Sequence, residues 1–218
     1  NLEFISESTK LSHESDFIFP VVHETWYRQK HTLWSSLEGT PVKVSGDGRC
    51  DSPGYSAKYC TYVMMDMDTQ KVIWIDTLSV NDSTSSNSME MKGCDRLLKE
   101  FKANNVNISF LCTDRHAEIA KMTREEFPEI EHQFDLWHLT KSASKRLMAK
   151  ARQKECLALE PWIPSIKNHL WWAAASCNEN TIELIEKWRS VTHHVVDRHE
   201  WGGSTVYHQC AHAILPPG

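Results

Sequence analysis

The sequence predicts an α/β fold: a mixed sheet whose elements run βββαβαβ along the chain, followed by helices. Three observations carry this. Two neighbouring segments rich in β-favouring residues flank a very short connection, as the strands of an antiparallel hairpin do. Two later apolar runs, too short for helices, are separated by amphipathic helical stretches, as parallel strands joined by crossovers are. From Lys141 onward every periodic signal is helical. The chain of 218 residues suits one large domain or one carrying a sizeable insertion. We divide it into an N-terminal helical segment (1–40), an α/β core (41–140) and a helical part with a His/Cys-rich tail (141–218).

Residues 1–40 are mixed. Phe17-Ile18-Phe19-Pro20-Val21-Val22 is a short apolar run, and the aromatic stretch around Trp26, Tyr27 and Trp34 reads as a helix leaning on the main core. Val42-Lys43-Val44 then alternates as a half-buried strand, which runs into Gly46-Asp47-Gly48-Arg49 and the turn-forming Asp51-Ser52-Pro53-Gly54. A second strand fits 57–67 and a third fits 71–80, where Val72, Ile73, Trp74 and Ile75 supply β-favouring bulk. Asp68-Thr69-Gln70 is short enough to make these two a hairpin.

Met89, Cys94, Leu97, Leu98 and Phe101 recur at helical spacing and Asn104-Asn105 ends the pattern. Ile108 to Cys112 reads as a buried strand with Thr113-Asp114-Arg115-His116 at its C-terminal end. A helix over 117–127 stops before Pro128. His132 to Trp137 reads as a fifth strand, closing in Asp135-Leu136-Trp137-His138.

Composition narrows the function. Hydrophobic residues at 40% and charged residues at 24% are ordinary for a globular chain. No run approaches the ~18 uninterrupted apolar residues of a membrane span. Seven scattered cysteines lack the spacing of a secreted disulfide framework, which favours a reducing, intracellular setting. The net charge of −5 removes the simplest argument for a nucleic-acid partner, a basic total, but leaves room for a local basic patch. No signal peptide is visible at Asn1-Leu2-Glu3-Phe4, and both ends read as cuts in a longer chain.

Asp47 is read as closing the first strand and Asp114 the fourth. Groups outside neighbouring strand ends of an α/β sheet meet ligands, and two carboxylates there repel unless a cation joins them. Magnesium, with its preference for oxygen ligands, resolves that conflict, and two such ions would serve phosphodiester chemistry. The plainer alternative is a turn aspartate and a helix-capping aspartate.

The ordered motifs, Gly46-Asp47-Gly48-Arg49-Cys50-Asp51-Ser52-Pro53-Gly54, Cys112-Thr113-Asp114-Arg115-His116 and Phe134-Asp135-Leu136-Trp137-His138, resemble the ribonuclease H-like core of DDE transposases. Within these the chain looks closest to Mutator-like or related transposase-derived proteins, and the likeness runs from about residue 40 onward. It implies a nuclear protein acting on DNA at transposon ends or in the genome, by metal-dependent cleavage and strand transfer. A homo-oligomer is compatible with it and no membrane is involved. Asp47 and Asp114 match the first two acidic ligands of Mg²⁺ or Mn²⁺. The third lies, in that family, on a helix after the fifth strand. No such helix is identifiable here, and Glu200 is a weak candidate for the role. Asp51 competes with Asp47, while His116 and Asp135 would support the site from nearby. Two rivals stay open: a domesticated, catalytically inactive DNA- or protein-binding module, and a metal-dependent nuclease unrelated to transposition.

Two further groups stand out. Lys141, Lys145, Arg146, Lys150, Arg152 and Lys154 gather on one predicted helix, either as solvated surface or as a face for a phosphate backbone. His194, His199, Cys210 and His212 carry spacings compatible with a structural zinc site, with an unmetallated packing cluster as the alternative and a catalytic site as a remoter one. The Trp residues read as mostly core, with one or two available to stack on an unpaired base.

Overall fold

The structure is a computed structural model that describes residues 5–52, 56–83 and 85–213. Two compact units divide it, residues 1–135 and 136–218. Pro53 and Gly54 of the expected turn and the terminal residues 1–4 and 214–218 lie outside the described residues.

In the first unit, α1 (Glu7–His13) passes through a π-helical turn (Glu14–Ile18) into α2 (Phe19–Leu37). The helix is held at its C-terminal half: Leu33 is buried and the Trp34 indole donates to the Ile73 carbonyl at 3.0 Å. The preceding apolar run stays largely exposed at Phe17, Ile18, Phe19, Val21 and Val22, so only part of this segment leans on the core.

Five strands follow in the order β3-β2-β1-β4-β5: β1 (Pro41–Cys50), β2 (Tyr59–Asp66), β3 (Lys71–Ser79), β4 (Asn107–Thr113) and β5 (Glu131–Phe134). β1, β2 and β3 form an antiparallel meander, and β4 and β5 join in parallel. This is the ribonuclease H-like arrangement that the sequence predicts. Parallel addition needs crossovers, which α3 (Ser86–Ala103) and α4 (Ala117–Glu126) supply.

Alternation sets the core. Val42 and Val44 of β1, Tyr62 and Met64 of β2, Ile73 of β3 and Leu111 of β4 are buried against Cys94, Leu97, Leu98 and Phe101 of α3, with Ile119 and Met122 of α4 joining them. Burying a side chain of this size contributes about 1.5 to 3 kcal/mol, so this cluster dominates the stability of the unit.

Two boundaries differ from the sequence reading. β1 does not end at Asp47; it pairs with β2 as far as Cys50 opposite Cys60, because an antiparallel partner holds a segment that its glycines alone would mark as a turn. β5 stops at Phe134 instead of Trp137, and the apolar Leu136 and Trp137 belong to the first turn of the next helix.

The second unit holds α5 (Leu136–Ala151), a 3-10 stretch (Lys154–Trp162), α6 (Ile163–Ser176) and α7 (Thr181–His194). Beyond α7 the chain is irregular, contrary to the expected helicity. Glu200 and Gln209 form an isolated antiparallel bridge, while Trp201 N donates to His208 O and Cys210 N to His199 O, both at 2.9 Å. Gly202 and Gly203, the latter at φ +87°, turn the chain within this hairpin-like tail. Among the described residues no helix is long and apolar enough to cross a membrane.

Candidate metal centre

β1 and β4 run side by side in parallel register as far as Ser45 opposite Cys112. Carried two residues further, that register would set Asp47 beside Asp114, just where the ladder ends and β1 continues with β2 alone. Asp47 sits at an exposed position of β1, and Asp114 is half-buried in the link to α4. Divergence of two neighbouring strands in an α/β sheet opens a crevice where ligands can be met.

A third carboxylate, which the sequence reading missed, reaches this place from α3. Glu90 lies across the backbone of Gly48: a Cβ at residue 48 would come within 2.6 Å of the Glu90 Cγ, so the close approach of this side chain to the strand requires glycine there. The Glu90 carboxyl is pushed up to about 7, first by burial and then by the charges of Asp114 and Asp47, which places all three acids in one electrostatic neighbourhood. The closest grouping around Glu90 is with Cys50 and Cys60, whose ligand atoms all lie within 4.8 Å of one another. Asp47 and Asp114 stand further off and act on Glu90 through charge.

A signal for Glu90 existed in the sequence. It lies four residues before Cys94 and seven before Leu97, on the stripe that is otherwise apolar, and a carboxylate on such a stripe is costly unless it has a partner.

His116 stands beside Glu90. Its Nδ1 accepts from Ile119 N at 3.4 Å and so caps α4, while its Nε2 is buried without a hydrogen-bond partner, 3.9 Å from Glu90 Oε2. Burial together with the nearby acids holds the Tyr62 hydroxyl firmly protonated. Asp135 follows β5, and its amide donates to Thr113 O at 2.7 Å, which anchors it next to Asp114 in the chain trace. Burial and the charge of Asp135 raise the Cys112 thiol. Asp51 accepts from Lys58 N at 3.0 Å and ties the loop after β1, a structural position consistent with its turn-like sequence.

The donor set fits a hard divalent cation. Asp47, Glu90 and Asp114 offer oxygen only, two of them raise the third, and a buried imidazole nitrogen faces the same carboxylate without a bond.

In the second unit the basic residues do not share one helix face. Lys141, Lys145, Met148 and Arg152 line a groove of about 550 Å³ with Trp137 and Lys167. Arg146 and Lys150 fall outside that lining, and Lys154 begins the 3-10 stretch. The Lys141 ammonium lies 4.5 Å from the centre of the Trp137 ring. Between residues 136 and 153 there are five Lys or Arg and no Asp or Glu, so this stripe carries an uncompensated positive field. Glu200 lies exposed in the tail and is engaged through its backbone with Gln209, and among the described residues no metal-type grouping includes it.

The ligand atoms of His194, His199, Cys210 and His212 lie within 4.8 Å of one another, a group that could hold a zinc ion. Burial, followed by the charges of the neighbouring histidines, pulls His194 down, and burial raises the Cys210 thiol.

No family model matches the chain, and no curated protein matches it by sequence. Among solved structures it is similar to the HTLV-2 integrase catalytic core domain in complex with magnesium, at 13% identity and a TM-score of 0.30, over 69% of this chain and 86% of that one. It is also similar to human ENDOV, at 12% identity and a TM-score of 0.23, over 42% of this chain and 46% of that one. A third likeness, at 16% identity and a TM-score of 0.23 over 44% and 46%, is to a Ciona intestinalis endonuclease V variant in complex with a 23mer DNA containing an inosine followed by a ribo-adenosine. At these identities and scores the fold assignment stands on the strand order itself.

Proposed function

We propose that the chain is a transposase-derived catalytic core for metal-dependent cleavage and strand transfer of DNA, acting in the nucleus. The observation that supports this reading is that Asp47 of β1 and Asp114 at the end of β4 both act by charge on the carboxyl of Glu90 from α3, in a ribonuclease H-like sheet. Asp47 and Asp114 would hold Mg²⁺ or Mn²⁺, with Glu90 as the third carboxylate. A divalent ion so held supplies an activated attacking oxygen and offsets charge on the leaving oxygen of a phosphodiester. His116, with Nδ1 committed to α4, keeps Nε2 directed towards Glu90 and is placed to hold that carboxyl or a phosphate oxygen. Asp135 supports the end of β4 from β5.

DNA would be bound through its backbone on the groove of Lys141, Lys145, Arg152 and Lys167, and Trp137 offers a surface for an unpaired base. The groove is built entirely from the second unit, which favours as a second reading a module that binds DNA without cutting it.

A nicking and strand-transfer assay with Mg²⁺ or Mn²⁺ separates the two. The catalytic reading expects activity that is lost in Asp47→Asn, Asp114→Asn and Glu90→Gln while salt-dependent binding persists. Cleavage that survives both aspartate changes would sink the assignment. Binding without cleavage in the unaltered chain would establish the second reading.

A further inference from the structure

We propose that His194, His199, Cys210 and His212 form a structural zinc site that fastens the irregular tail to the end of α7. The geometry is close to coordination. Tetrahedral zinc with bonds of about 2.0 Å to nitrogen and about 2.3 Å to sulfur sets its ligands roughly 3.3 to 3.7 Å apart. Cys210 Sγ lies 3.6 Å from His194 Nδ1, and all four ligand atoms fall within 4.8 Å of one another.

The hydrogen bonds leave the right atoms available. His199 donates from Nε2 to Asp197 Oδ1 at 2.9 Å, and its Nδ1 is buried with no partner. His212 Nδ1 donates to the Ala213 carbonyl at 2.6 Å, which leaves Nε2 for a metal. A ligating imidazole whose other nitrogen is fixed by a carboxylate or carbonyl is the usual outer support of a zinc site. Three borderline nitrogens and one soft sulfur select zinc over the hard cation that suits the carboxylate crevice.

The topology supplies a reason for the site. His199 and Cys210 stand opposite each other, joined by the Cys210 N to His199 O bond, so one ion would close the base of the tail hairpin. His194 is the last residue of α7, and the preceding His193 stacks on Trp201 at 4.9 Å between ring centres. The buried apolar residues of this unit among those described are Ala151, Ile163, Leu170, Ala173 and Cys177, a thin core for some eighty residues. Units with so little buried apolar surface are commonly stapled by a metal or disulfides. The cysteines here are free thiols.

The test is metal analysis of the purified protein together with Co²⁺ titration. One zinc per chain is expected, and Co²⁺ should give thiolate charge-transfer absorption with the strong visible bands of a tetrahedral site. Both should be lost in Cys210→Ser and kept in Cys156→Ser and Asp114→Asn. Asp197→Asn, which removes only the outer support of His199, should weaken zinc binding about 10- to 100-fold without changing the cobalt band pattern. Should Cys210→Ser fail to fold, cobalt titration of the unaltered protein after chelation still decides. A metal-free protein that keeps its melting temperature and gives no tetrahedral cobalt spectrum would overturn the site.

Discussion

The two units are stabilised in different ways. The first buries large apolar side chains from every strand of the meander and from two crossover helices, and at the end of the β1–β4 ladder it leaves Asp47 exposed with Asp114 and Glu90 half-buried. The second has a thin apolar core and replaces packing with polar fixtures. Lys187 is buried, donates to Ser176 O and lies 2.7 Å from Glu183, and Glu186 accepts the backbone amides of Thr205, Val206 and Tyr207. Apolar burial is non-directional and tolerates acidic groups nearby, whereas directional fixtures make the fold of the second unit depend on charge state.

Three changes probe this contrast, beginning with the largest effect. Phe101→Ala removes a fully buried ring from the first core and should cost about 3 to 5 kcal/mol, read as lost hydrogen-exchange protection in the strands. Equal loss of protection in residues 181–210 would show that the two units do not differ in this way.

Glu90→Gln should act in the opposite direction. A carboxyl raised from 4.5 to about 7 contributes stability that is present below its unfolded value and lost as pH rises through 7. The shift corresponds to at most about 3 kcal/mol, and solvent over the exposed quarter of the side chain reduces that to about 2. Melting temperatures of the metal-free protein from pH 4 to 8 should therefore fall less steeply in Glu90→Gln. Mg²⁺ should restore the parent protein at pH 8 and not the variant lacking Asp114. An unchanged pH profile in Glu90→Gln would remove Glu90 from the crevice.

The smallest effect belongs to Glu186, whose carboxylate is held down to about 2 by the amides of Thr205, Tyr207 and Val206. Its contribution is present above the ordinary carboxylate range and lost as pH falls towards 2. Glu186→Gln should speed amide exchange at 205–207 at neutral pH. Unaltered exchange there would mean that the tail is held elsewhere.

Strand and helix order were legible in the sequence because alternation and helical spacing are local. Boundaries were misread wherever a partner decided them: β2 extends β1 through Gly46 and Gly48, and Leu136 and Trp137 start a helix where their bulk suggested strand. Strand position alone suggests Asp47 and Asp114 as a pair, and the test of that pair is chemical. Glu90 escaped because its helix face was read for apolar residues alone. The spacing of the basic set allows several of its members to share a face, and Lys141, Lys145 and Arg152 do line one groove while Arg146 and Lys150 lie off it. The four zinc-type ligands were visible by spacing, but the hairpin that brings Cys210 back to His199 depends on contacts eleven residues apart, which no local pattern encodes.

Gly48 makes the crevice unusually easy to disable. Its neighbours Asp47 and Arg49 are held by the antiparallel pairing with β2, so an alanine there need not unfold the sheet, yet the added methyl occupies the place of the Glu90 side chain. A single substitution at a residue with no side chain of its own would thus separate the fold from the proposed chemistry. On the proposed reading, the chain stands one mutational step from a scaffold that would bind nucleic acid and leave it whole.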